Sequence, residues 1–145
     1  MAARVVVRYR ARMANTIEAT IKTYIRAFTE RDPAVRAALI ESCFAADGRL
    51  VGTAREIRGR RELDALMARI ANDPRWRCIR LTSAIDVRDR AFRMSGVVER
   101  HDGTTAESFD SGVDNADGQI ELLMTLVGPL SAPSVPAEAW PFASA

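Results

Sequence analysis

"YIRAFTERDPAVRAALIESCFAADGRL", residues 24–50, is the stretch on which the fold turns. Asp32-Pro33 divides it. Proline fixes its own φ and lacks an N–H, so it suits the first turn of a helix, with the preceding aspartate as N-cap. Before that break, Tyr24, Ile25 and Phe28 continue a helical face begun by Ile17 and Ile21. Asn15 with Glu18 three residues on has capping-box spacing for the same helix. After the break, Val35, Ala38, Leu39 and Cys43 predict the buried stripe of a second helix that ends at Phe44. Asp47-Gly48 predicts a turn into a short strand around Arg49 to Gly52.

Further along, Gly59 opens a third helix with the stripe Leu63, Leu66, Met67 and Ile70, stopped by Asn72-Asp73-Pro74. From Arg77 the apolar period switches from helical to two. Ile79, Leu81, Ser83, Ile85 and Val87 alternate with polar neighbours, as in a half-buried strand. Phe92 to Arg100, Thr105 to Asp114 and Gln119 to Val127 follow as strands, with hairpin turns at Asp102-Gly103 and Asp117-Gly118. Helices first and an antiparallel meander afterwards define an α+β domain with helices on one face of a sheet. The expected organisation is a flexible basic arm over 1–14, one domain over 15–130, and a Pro/Ala/Ser-rich tail over 131–145.

Composition narrows the function classes. The chain has 145 residues, 48% of them apolar and 28% charged, as in one globular domain. No apolar run is long enough to span a bilayer, and Val5-Val6-Val7 is too short for a signal-peptide core, so the expected location is cytoplasmic, with no membrane partner. Lys22 is the single lysine among 21 basic residues, but 19 acids offset them and the net charge is only +2. That balance implies no nucleic-acid partner. Cys43 and Cys78 form no CxxC pair, the lone histidine His101 sits in a turn, and neither a GxGxxG motif nor a P-loop is present. No metal and no organic cofactor is expected.

Four segments, "YIRAFTERDPAVRAALIESCFAADGRL", "IRGRRELDALM", "DG…SFD…DGQI" and "VGPL", together resemble the nuclear transport factor 2-like, SnoaL-like superfamily over about Thr16 to Leu130. The resemblance implies a cystatin-like cone: a curved antiparallel sheet wrapped by three N-terminal helices, with a small-molecule pocket in its mouth. It also implies a homodimer through the outer sheet face. Members include ketosteroid isomerases, polyketide cyclases, epoxide hydrolases and dehydratases, so fold alone does not choose a function.

Carried over residue by residue, the resemblance makes Tyr24 the helix tyrosine that orients substrate and Asp110 the strand acid that works as general acid or base. The proton-abstracting aspartate of the isomerases has no counterpart. Leu50 or Arg49 stands at its place, and Glu56 is displaced. An isomerase, cyclase or hydratase using Asp110 and Tyr24, and a non-catalytic ligand-binding or dimerisation module, are both consistent with these residues.

Asp110 is one of three aspartates in "SFDSGVDNADGQIELL", residues 108–123. Asp117 belongs to its turn, and Asp114 is expected to be solvated at a strand end. If Asp102-Gly103 is a two-residue turn, Ser95 faces Asp110 and Val97 faces Ser108. Asp110 then shares a polar face with Arg93, Ser95, Ser108 and Gly112, opposite an apolar face of Phe92, Met94, Val98, Phe109 and Val113. Two expectations follow. Either the pocket takes a polar or charged ligand through Arg93 and Asp110, or the turn is longer, the parity slips, and Asp110 faces solvent.

Overall fold

The computed structural model describes residues 16–132. The arm expected over 1–14, and all but two residues of the expected tail, lie outside that range. Helix α1 covers 16–27, α2 Pro33–Cys43 and α3 Gly59–Ala71. The strands are β1 Phe44–Val51, β2 Ile57–Arg58, β3 Trp76–Leu81, β4 Asp86–Arg88, β5 Ala91–Arg100, β6 Thr105–Asp114 and β7 Ile120–Val127.

The strands form one sheet in the order β2-β1-β7-β6-β5-β3, with β4 paired to β5. It is strongly curled around the helices. Ile17, Ile21, Ile40, Leu63 and Met67 from the helices meet Phe44, Leu50, Phe92, Ile120 and Leu123 from the sheet in one core. The pairing is antiparallel except between β1 and β7, which run parallel. The sheet is therefore mixed where an all-antiparallel one was expected. A parallel neighbour needs a long connection, and α3 with the strands β2 to β6 lies between these two strands.

Asp32 caps α2 as expected, its carboxylate accepting from the backbone N–H of Ala34 and Val35 at 2.9 and 3.0 Å. The buried face of α2 is rotated from the expected stripe. Arg36, Ile40 and Cys43 are buried, while Val35 and Ala38 are exposed. Apolar spacing misses this because Arg36 is an arginine whose charge is satisfied inside the fold. Its guanidinium donates to Asp64 on α3 at 2.8 Å and to the Glu30 carbonyl at 3.0 Å, so burial leaves no donor group stranded on those two nitrogens.

Asp47-Gly48 makes no turn. β1 starts directly after α2, and its register against β7 jumps between Phe44↔Ile120 and Arg49↔Leu122. Gly48 lies in this irregular stretch, where a Cβ would come within 2.5 Å of the Phe44 ring. The strand expected from Arg77 through Val87 is also interrupted. After Leu81 the chain bends, and the Ser83 hydroxyl accepts from the Ser95 N–H at 2.8 Å in place of a ladder carbonyl. Pairing resumes in β4.

The β5–β6 hairpin decides which side chains face inward. Its loop is three residues long, closed by Arg100 N–H to the Thr104 carbonyl and Gly103 N–H to the Arg100 carbonyl, both at 3.0 Å. Gly103 takes φ +84°, a left-handed conformation that suits glycine. The register therefore shifts by one residue from the two-residue expectation: Met94 faces Asp110, Gly96 faces Ser108 and Phe92 faces Gly112.

Candidate functional site

That shift reverses the expected faces. Asp110 shares the concave, helix-covered face with Phe92, Met94, Gly96 and Val98. Arg93, Ser95, Val97, Phe109 and Val113 lie on the outer face. Asp110 lines an apolar cavity of about 200 Å³ between the sheet and the helices. It is half-buried, and with Arg93 and Ser95 it also lines an open hollow of about 620 Å³.

Each wall of the cavity comes from one element. α1 contributes Tyr24 and Ile25, the turn after it Phe28, and α3 contributes Leu66 and Ile70, the half-buried members of its apolar stripe. β3 adds Trp76, Ile79 and Leu81, β1 adds Leu50, and β5 adds Met94, Gly96 and Val98. Ser108 and Asp110 from β6, with Thr125 from β7, make the one polar wall. Thr53 and Val127 are exposed and mark the opening.

Asp110 is held at two points. The Ser108 hydroxyl donates to Oδ2 at 3.1 Å, and Thr125, directly across the β6–β7 ladder, also hydrogen-bonds the carboxylate. Desolvation is the larger influence and raises its pKa, while the two hydroxyls act in the opposite direction. Tyr24 is buried at the base of α1, its ring edge-on to Phe28 at 5.2 Å and stacked with Phe44 at 6.5 Å. Burial, then the nearby Asp110 charge, raise the phenol's pKa well above its usual value, so at neutral pH it stays an O–H donor.

The other expected site residues are placed as follows. Leu50 faces the cavity and is fully buried. Glu56 lies outside it, half-exposed and paired with both Arg49 and Arg58. Gly112 is on the inner face but does not line the cavity. A Cβ there would lie 2.3 Å from the Leu122 carbonyl oxygen and 2.7 Å from the Phe92 ring. Arg93 is exposed on the outer face and pairs with Asp86 at 3.0 Å, and Ser95 bonds Thr82 at 3.0 Å.

Asp114, expected to be solvated, is buried, and among the described residues its Oδ1 has no hydrogen-bond partner. Desolvation raises its pKa. Asp117 sits in the expected turn, organised by the Asn115 side chain, which accepts from the N–H of Asp117 and of Gln119 at 3.0 Å each. Thr125 was missed in the sequence. Its signal is the Asp117-Gly118 hairpin, which sets β7 against β6 and so brings Thr125 opposite Asp110. Among the described residues no group of three or more His, Cys, Asp or Glu could hold a metal ion, and no helix is long and apolar enough to cross a membrane.

A strongly curled mixed sheet covered by three helices is the architecture of the nuclear transport factor 2-like fold. The chain has that fold, the one shared by SnoaL-like proteins. It is similar to a candidate isomerase of the SnoaL-like family from Agrobacterium tumefaciens, with a TM-score of 0.70 and 21% identity over 79% of this chain and 99% of that one. It is also similar to a nuclear transport factor 2-like protein of unknown function from Burkholderia xenovorans, with a TM-score of 0.61 and 15% identity over 83% and 89% of the two chains. A third similar structure, of unknown function with a cystatin-like fold, comes from Methylobium petroleophilum. Its TM-score is 0.66, with 14% identity over 83% and 81%. No protein-family model and no curated protein matches the sequence.

Proposed function

We propose that the cavity is a small-molecule site in which Asp110 transfers a proton to and from the bound ligand while Tyr24 orients it, in isomerase, cyclase or hydratase chemistry. The observation that carries this reading is a carboxyl group enclosed by apolar walls, yet supported by two hydroxyls. Such a group has a raised pKa and can still ionise, which brings it towards the range a general acid or base needs. With a ketone bound, the Asp110 carboxylate would take a proton from the carbon beside the carbonyl. The C–H electron pair would become the C=C bond and the carbonyl π pair would move onto oxygen, giving an enolate whose oxygen accepts the Tyr24 hydrogen bond. Return of the proton to the same or another carbon completes exchange or isomerisation.

A second reading is favoured by Leu50. An aliphatic side chain stands at the place where the isomerases carry a separate base, as in a ligand-binding module without turnover. Hydrogen–deuterium exchange separates the two. Cyclohexanone in D₂O, followed by proton NMR, should lose its α-hydrogens faster with the protein than in buffer. Asp110→Asn should remove at least about a hundredfold of that acceleration. No acceleration by the wild-type chain would leave only the binding reading.

A homodimer through the outer sheet face and a cytoplasmic location belong to the same proposal. Met124 and Leu126 on that face are 45% and 65% exposed, which supports self-association. Sedimentation at micromolar concentration giving only the monomer mass would remove the dimer.

A further inference from the structure

We infer that the cavity accepts an uncharged molecule about one ring in size, with a single oxygen function at one end, and turns away carboxylates, phosphates and fused polycycles. The inference rests on the proposed function only in taking the polar wall as the place where the ligand oxygen sits.

Size comes first. The cavity measures about 200 Å³. A cavity of about 150 Å³ holds one benzene ring, whereas sites for drug-sized ligands span about 300–1,000 Å³. The volume here is close to the first case. Its walls cannot simply yield: Leu50 is 1% exposed, and Tyr24 is wedged between two other aromatic rings. Enlarging such a packed interior disturbs many contacts at once.

Charge comes second. Among the described residues, no Lys, Arg or His lines the cavity. The arginines near its opening are engaged elsewhere: Arg49 and Arg58 with Glu56, and Arg55 with Glu62. An anionic ligand would meet Asp110 and no cation, and two negative groups in one apolar enclosure repel and lose their water. A cation facing Asp110 would give up its own water against apolar walls, a cost that pairing with a single carboxylate does not repay.

The placement of polarity comes third. Thr53 donates its hydroxyl to the Arg55 carbonyl at 2.5 Å. Of the polar groups that remain in the lining, Ser108, Asp110 and Thr125 are adjacent on two neighbouring strands, the Tyr24 phenol lies close to Asp110, and Trp76 brings an indole N–H. A ligand polar at both ends would press its second polar group against Leu66, Ile70, Ile79 or Leu81, unpaired.

The test is a binding series on the full chain by isothermal calorimetry and ligand-observed NMR. The probes are cyclohexanone, cyclohexanecarboxylate, cyclohexylamine and a four-ring ketone used as competitor at its solubility limit. Cyclohexanone should bind saturably, both charged analogues at least tenfold more weakly, and the four-ring ketone should not displace it. Leu81→Trp, or Ile70→Trp should the first fail to fold, should abolish cyclohexanone binding while retaining a cooperative thermal transition. Binding of either charged probe as tight as the ketone, displacement by the four-ring compound, no ketone binding at tens of millimolar, or ketone binding retained in a folded tryptophan variant would each overturn the inference. Binding without α-hydrogen exchange defeats the proposed function and leaves the ligand class standing. Exchange on a charged or polycyclic ketone in preference to cyclohexanone does the reverse.

Discussion

Burial of the Asp110 carboxyl raises its affinity for a proton, and the Ser108 and Thr125 hydroxyls only partly oppose that. The consequence for stability has a definite sign. Its folded pKa lies above the unfolded one, so the folded chain holds the proton more tightly in the interval between them. The stabilising contribution is full below the unfolded value, declines as pH rises through the interval, and is gone above the folded value. Asp110→Asn is neutral at every pH and avoids that loss. Urea unfolding should place the variant's midpoint above the wild type's at pH 7, with the difference shrinking towards pH 3. A variant less stable than wild type at pH 7 by the same margin as at pH 3 would mean that Asp110 is not desolvated. The resemblance singled out Asp110, but its surroundings were not legible in the sequence. Its neighbours depended on one residue of loop length at Gly103, which a dipeptide signal leaves open.

At the scale of elements, the α2 cap, the α2 and α3 limits and four of the strands could be read from local chemistry, because Asp32-Pro33, Gly59 and Asp73-Pro74 act on their immediate neighbours. The capping box expected at Asn15 lies outside the described residues. What could not be read was set by distant partners. Arg36 is buried because Asp64 on another helix receives it. β1 runs through Asp47-Gly48 because β7 pairs alongside. Gly52, just after β1, is the clearest case. It takes φ +101°, and a Cβ there would lie 1.9 Å from the backbone oxygen of Thr125. Gly52→Ala adds left-handed strain of about 1–2 kcal/mol to that collision, so the expected loss in urea unfolding exceeds about 2 kcal/mol. Because Thr125 holds Asp110, the same substitution should weaken ketone binding in whatever fraction stays folded. A loss below about 0.5 kcal/mol would show that β1 and β7 separate freely at this point.

For the molecule as a whole, the sheet's curl and the α1–α3 cover produce a cavity lined, among the described residues, by one acidic group, one phenol and no cation. The fold was legible in the order and spacing of its segments, since apolar period and turn residues report on helices and strands directly. The ligand class was not legible. Arg93 alternates with Asp110's true neighbours along β5, and only the observed register places it outside. The most direct measurement of the central claim is the titration of the Asp110 carboxyl carbon by NMR, assigned by its absence in Asp110→Asn. The account predicts a midpoint clearly above the usual aspartate value of about 4, and a further rise in Thr125→Val and Ser108→Ala, which lose the opposing hydroxyls. A midpoint at or below about 4, unmoved by either variant, would contradict it and return Asp110 to the solvent.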